Sequence, residues 1–133
     1  MKNWHWIVIK IGKIVEINIK GLEWTYDLLP LEQYIPLYGK GDLALCIKDK
    51  RKLVFILEEI CITTIYHELT HAYMASLCID SCHSISADDY EEIFCEINGN
   101  HIEDIVKQGK EILKNLNKEA RKLSKVRGKG GKK

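Results

Sequence analysis

No stretch of the chain approaches the roughly 18 uninterrupted apolar residues of a membrane helix, so a helical membrane span is excluded. There are no internal repeats, which excludes a solenoid or propeller array. An excess of charge of one sign is also missing: 20 Lys and Arg stand against 19 Asp and Glu, for a net charge of +1. That balance argues against a chain built around nucleic acid or an anionic membrane, since such binders are usually visibly basic. The start, Met-Lys-Asn-Trp-His-Trp, lacks the basic end, apolar core and small-residue cleavage site of a signal peptide. The cysteines (Cys46, Cys61, Cys78, Cys82 and Cys95) are odd in number, where a secreted disulfide scaffold pairs an even set. These absences together predict reduced thiols and a cytoplasmic location.

What is present is ordinary globular composition, 46% apolar and 29% charged over 133 residues, enough for one domain and too short for two cores and a linker. The neutral total hides an asymmetry. From Lys118 onward eight basic residues face only Glu119, so the remainder is net acidic. The sequence predicts a single domain over 1–126 and a basic, disordered tail over 127–133, where Arg-Gly-Lys-Gly-Gly-Lys-Lys cannot build a core. The basic end reads as a solvated helix terminus suited to the C-terminal dipole, with at most weak contact to nucleic acid or an acidic partner.

Residues 4–11 and 13–19 are short, rich in Ile, Val and Trp, and separated by Gly12-Lys13, which predicts a β-hairpin. Residues 26–41 hold Pro30, Pro36, Gly39 and Gly41 at irregular spacing and predict a loop with at most a turn of helix. Residues 43–48 and 52–57 predict a second hairpin across Asp49-Lys50-Arg51. From Glu58 the period changes to that of a helix, with Ile62, Ile65, Leu69, Ala72 and Tyr73 on one face, ending near Leu77. A second helix should begin near Ser86, an N-cap followed three residues later by Asp89. Its apolar stripe is Tyr90, Ile93, Phe94 and Ile97, and Asn98-Gly99-Asn100 should interrupt it. A third amphipathic helix follows from Ile102 to Leu123. The fold class expected is α+β: a small N-terminal antiparallel or mixed sheet packed on the first helix, followed by two helices.

That first helix carries His67-Glu68-Leu69-Thr70-His71, the HExxH pattern. Histidines four apart stack on one side of a helix, so both imidazoles can reach one ion. Glu68, beside the first ligand, is placed to take a proton from a metal-bound water. With five His and twelve Glu in the chain, a chance HExxH has a probability of about 0.02. At about 100° per residue the two histidines point roughly away from the Ile65, Leu69 and Ala72 stripe. Ile60, Met74 and Cys78 share the histidine side, and a merely solvated face would not be so apolar.

A catalytic Zn2+ site needs a third protein ligand and an open position. Glu92 is the leading candidate, 21 positions after His71 on the second helix, with Glu96 one turn on. Carboxylates at i and i+4 repel, and a cation at Glu92 with Glu96 accepting an outer histidine N–H would relieve this. Asp88, Asp89, Glu91 and Glu92 also suit the helix N-terminal dipole. His83, His101, Glu91 and Glu96 remain alternatives for the third position, and Glu92 projects away from its helix's apolar stripe.

The segment from His67 to Tyr73, followed by Glu91-Glu92-Ile93-Phe94-Cys95-Glu96, resembles the gluzincin-type zinc peptidases, and most of all the small cytoplasmic ImmA/IrrE-like metallopeptidases of bacteria and phages. The resemblance covers residues 60–97. It implies that His67, His71 and Glu92 bind zinc, that Glu68 is the general base, and that Glu96 stands where those enzymes usually carry Asp. Larger relatives often add a helix-turn-helix domain, for which 133 residues leave no room.

Cys78-Ile-Asp-Ser-Cys82-His83 offers two thiols and an imidazole, but no second pair follows at structural-zinc spacing. Trp4, Trp6 and Trp24 read as core or sheet-face aromatics. The functional expectation is a zinc-dependent endopeptidase hydrolysing peptide bonds of an intracellular protein, with an extended substrate pairing along a strand edge near residues 52–57. Tyr66, Tyr73 and His83 are the possible oxyanion donors. The alternative is a non-catalytic regulatory or binding protein that keeps a metal-stabilised peptidase fold; the intact Glu68 weighs against it, because a binder needs no base.

Overall fold

The computed structural model describes residues 15–77 and 86–131. Lys20 and Gly21 adopt φ of 52° and 84°, the positive angles of a tight two-residue hairpin turn. Asn18 Oδ1 accepts the Gly21 N–H at 3.1 Å. The turn joins β1 (Val15–Ile19) to β2 (Leu22–Leu29) in antiparallel register, with Ile19 opposite Leu22. The expected first hairpin thus has its second strand in β1, whose described partner is β2; residues 4–11 lie outside the described residues.

The loop expected over 26–41 is corrected. β2 runs to Leu29, and α1 (Leu31–Tyr38) follows at once. Pro30 stands just before the first helical residue, where its missing N–H and fixed φ do no harm. Its carbonyl accepts the N–H groups of Gln33 and Tyr34 at 2.9 and 3.0 Å, and Glu58 Oε1 accepts that of Leu31 at 2.8 Å. Gly39, at φ 92°, closes the helix by donating to the Ile35 carbonyl.

The second hairpin forms as expected, β3 (Ala44–Ile47) antiparallel to β4 (Lys52–Ile56) with Leu45 opposite Val54. β4 also pairs in parallel with β2, giving a four-stranded mixed sheet in the order β1-β2-β4-β3. The expectation of an open edge near 52–57 is therefore corrected: β4 is interior. Leu53 and Phe55 enter the main core beside Trp24, Tyr26 and Leu28, while Val54 and Ile56 pack with Tyr34 on the other face. A strand covered on both faces reads as a continuous apolar run. Among the described residues the open edge on this side is β3.

α2 (Ile62–Ser76) begins later than Glu58, which falls in a 3-10 turn over Leu57–Glu59. Ile65, Leu69, Ala72 and Tyr73 are fully buried in the main core against the sheet. The Trp24 indole N–H donates to Ser76 Oγ at 2.9 Å and ties the end of α2 to β2. α3 (Ala87–Glu96) starts on the expected capping box, Asp89 N–H to Ser86 Oγ at 3.1 Å and Ser86 N–H to Asp89 Oδ2 at 3.3 Å. The interruption expected at Asn98-Gly99-Asn100 takes the form of a π-helical segment, Ile97–His101, leading into α4 (Ile102–Gly131). Ile105, Ile112, Leu116 and Leu123 bury α4 in the same core. The helical backbone continues to Gly131, past Val126, where a loose tail was expected.

One contact fixes how closely α2 and α4 approach. A Cβ at Gly109 would lie 2.5 Å from Tyr66 Cε1, so the helices meet where a side chain is missing.

Candidate functional site

α2 presents its HExxH residues in two different environments. His67 is exposed and His71 half-buried, and their Nε2 atoms approach to 3.2 Å with ring centroids 4.8 Å apart. Two imidazole nitrogens bound to one tetrahedral ion at 2.0–2.1 Å would stand about 3.3 Å apart, so the separation of the pair is compatible with a common ion. The same separation suits a single N–H···N hydrogen bond. Glu68, one step round the helix, is buried at 7% exposure. Burial pushes its carboxyl above the usual carboxylate range; the neighbouring His67 pulls it back in part, and Asp42 adds a further rise.

Glu68 forms part of the wall of a cavity of about 310 Å³, with Asp42 and Ala44 on one side and Thr64, His67 and Glu68 on the other. Gly39 and Gly41, at φ 92° and 104°, supply the left-handed backbone that brings Asp42 round to the helix. Sequence reasoning missed Asp42. The available signal was the Gly39-Lys40-Gly41 spacing directly before a strand.

The remaining expected site residues are placed elsewhere. Glu91, Glu92 and Glu96 are exposed on α3. Among the described residues no group of three or more His, Cys, Asp or Glu is arranged to hold a metal ion, so His67 and His71 come together without Glu92 beside them. His101 is buried at 8% exposure, its ring 5.7 Å from that of Tyr73. His83, Cys78 and Cys82 lie outside the described residues.

Tyr73 is corrected as a possible oxyanion donor. It is fully buried, its hydroxyl donates to Asp104 Oδ2 of α4, and it accepts from Gln108 Nε2 at 3.1 Å. The Tyr66 ring lies against Gly109 of α4.

A second cavity, of about 360 Å³, opens between α2 and α3, with Thr70 and Met74 on one wall and Tyr90, Ile93, Phe94 and Ile97 on the other. The stripe expected to pack α3 into the core therefore does so only in part. Ile97 is buried, but Tyr90 and Phe94 remain 50% and 59% exposed at the cavity rim.

Among the described residues no helix is long and apolar enough to cross a membrane. No family profile, curated protein or solved structure matches the chain.

Proposed function

We propose that the chain is a zinc-dependent endopeptidase acting on a protein or peptide substrate, of the ImmA/IrrE-like gluzincin type. The reading rests above all on the 3.2 Å approach of the His67 and His71 Nε2 atoms, the separation that two imidazoles sharing a tetrahedral ion require. In this reading His67 and His71 hold the ion, and Glu92 is the carboxylate assigned to complete the set. Bound zinc supplies a Lewis acid and lowers the pKa of water.

The protein's own contribution follows from burial and topology. Glu68, buried next to His67, is the carboxylate placed to act as general base in this reading. It takes a proton from the attacking water and returns it to the leaving amine. β3 is the edge strand on this side of the sheet among the described residues and would offer backbone groups to an extended chain, and Ala44 of that strand borders the cavity that Glu68 enters.

The test is Glu68→Gln. Zinc content should be unchanged and hydrolysis lost, whereas His67→Ala should lose the metal itself; hydrolysis that survives in Glu68→Gln sinks the proposal. Zinc analysis of Glu92→Ala decides the third ligand. A second reading, a partner-capturing protein on the same fold, draws on the exposure of Tyr90 and Phe94. It prevails if biological activity is intact in Glu68→Gln.

A further inference from the structure

His67, Thr70, His71 and Met74 are linked by spacings of three (67–70, 71–74) and four (67–71, 70–74), which makes them one continuous stripe along α2. One part of the stripe is the histidine pair; Thr70 and Met74 are a wall of the cavity between α2 and α3. The facing wall repeats the same spacing, with Tyr90, Ile93 and Phe94 on α3 and Ile97 at the start of the π-helical segment. Among the described residues no charged side chain lines this cavity, and Thr70, Asn98 and the Tyr90 hydroxyl are its polar contributors.

The separation also suits a peptide. At 1.5 Å per residue, Thr70 and Met74 each stand about 4.5 Å along the helix axis from the histidine one turn before. One residue of extended chain covers about 3.3–3.6 Å. A chain with a peptide bond at the histidine pair therefore reaches the cavity with the side chain of an adjacent residue.

We propose that the cavity between α2 and α3 is a specificity pocket that takes a large apolar side chain, aromatic or leucine-sized, from the substrate residue next to the hydrolysed bond. The inference rests on the peptidase reading above and names the substrate class for that site. Tyr90 and Phe94 close over such a side chain and lose their own exposed area. A carboxylate or ammonium would lose water there with no opposite charge among the described lining residues to meet it. A methylene in an apolar pocket alters selectivity by roughly 10- to 200-fold, so Phe or Leu should exceed Gly by at least about tenfold.

The experiment incubates the zinc-loaded full chain with a pool of decapeptides balanced in all residue types and reads the cleavage sites by mass spectrometry. Phe, Tyr, Leu or Met should be enriched at least about tenfold at one fixed position beside the cleaved bond. Phe94→Asp, at a rim position that leaves the fold intact, and Met74→Trp, which fills the cavity, should both collapse that enrichment while zinc content stays equal. Cleavage without apolar enrichment overturns the pocket and leaves the peptidase reading standing, as does enrichment that both variants retain. If the wild-type chain cleaves nothing, the peptidase reading fails, and fluorescence anisotropy with fluorescein-labelled Gly-Gly-Phe-Gly-Gly and its all-Gly counterpart decides the pocket. Phe-dependent binding that Phe94→Asp abolishes sustains it, and equal binding of the two peptides overturns it.

Discussion

Replacing Tyr73 with Phe removes one oxygen from the point where α2, α4 and β1 are joined. The Tyr73 hydroxyl donates to Asp104 Oδ2 and accepts from Gln108 Nε2, which also donates to the Asn18 carbonyl at 3.0 Å. A hydrogen bond to a charged group contributes about 1.5–3 kcal/mol. Asp104 keeps Gln108 Nε2 as a donor at 3.3 Å and is exposed enough to recruit water, so the loss should be near the middle of that range, about 2 kcal/mol. For a chain of this length that is a fall in Tm of about 6–10 °C. A second signature separates this bond from simple packing. Burial first, and then the Asp104 carboxylate, hold the Tyr73 phenol above its ordinary pKa of 10.0. A folded-state pKa raised above the unfolded one gives stability that is complete below the unfolded value and lost as pH rises toward the folded one. The wild-type Tm should therefore fall more steeply above about pH 10 than that of Tyr73→Phe. The variant should keep a residual slope, because burial also raises Tyr26. Thermal melts followed by circular dichroism from pH 7 to 11 provide the measurement. Equal Tm at neutral pH, or parallel alkaline slopes, would refute the account.

Two further predictions concern the scaffold. Gly109→Ala gains about 1 kcal/mol of helix propensity, but its Cβ would stand 2.5 Å from the Tyr66 ring, and overpacking costs about 1–3 kcal/mol. The net should be a loss of about 1 kcal/mol in urea denaturation; a stabilised variant would show that the two helices part freely. Lys52 Nζ meets Asp27 Oδ2 at 2.7 Å, and the other Asp27 oxygen is buried without a hydrogen-bond partner. Breaking a fully buried pair costs about 3–5 kcal/mol, and discounting for the partial exposure of Lys52 leaves about 2–3 kcal/mol for Lys52→Met. The double variant Asp27→Leu/Lys52→Met should recover most of that loss, and a double variant as unstable as the single one would contradict the reasoning.

Where local chemistry decides structure, the sequence was a sufficient guide. Ser86 and Asp89 mark a helix start by satisfying each other's backbone donors, and Asp49-Lys50-Arg51 between two β-rich runs ends in a residue at φ 49° that turns the chain. The failures occurred where the deciding partner is distant. Pro30 and Pro36 looked like loop residues because nothing nearby shows that Glu58, 27 positions beyond Leu31, caps the helix that follows Pro30 and contains Pro36. β4 was mistaken for an edge although its unbroken run, Leu53-Val54-Phe55-Ile56, already implied cover on both faces. At the candidate site the histidine spacing was legible because it is intrahelical. The approach of Asp42 to Glu68 was not, since it depends on how the Gly39 to Gly41 turn meets α2.

The HExxH spacing also determines which side of the histidine pair each cavity occupies. If the mean direction of Ile65, Leu69, Ala72 and Tyr73 defines the core, His67 lies about 175° away and His71 about 145° away at 100° per residue. Glu68 lies only about 85° away, on the boundary between core and surface, which accounts for its burial. On that flank it meets Asp42 and Ala44 beside the open β3 edge. Thr70 and Met74 fall on the opposite flank of the histidines and face α3. The pair therefore sits between a cavity that holds a buried carboxylate and an apolar cavity rimmed by aromatic residues. An extended chain paired with β3 would pass Glu68 first, cross the histidines, and enter the apolar cavity with its next side chain. In the proposed peptidase, a base on one side of the bond and an apolar anchor on the other would both follow from a single helix whose positions 67 to 74 cannot be rotated independently. Shifting the motif by one residue would move Glu68 and the Thr70-Met74 wall together and lose both.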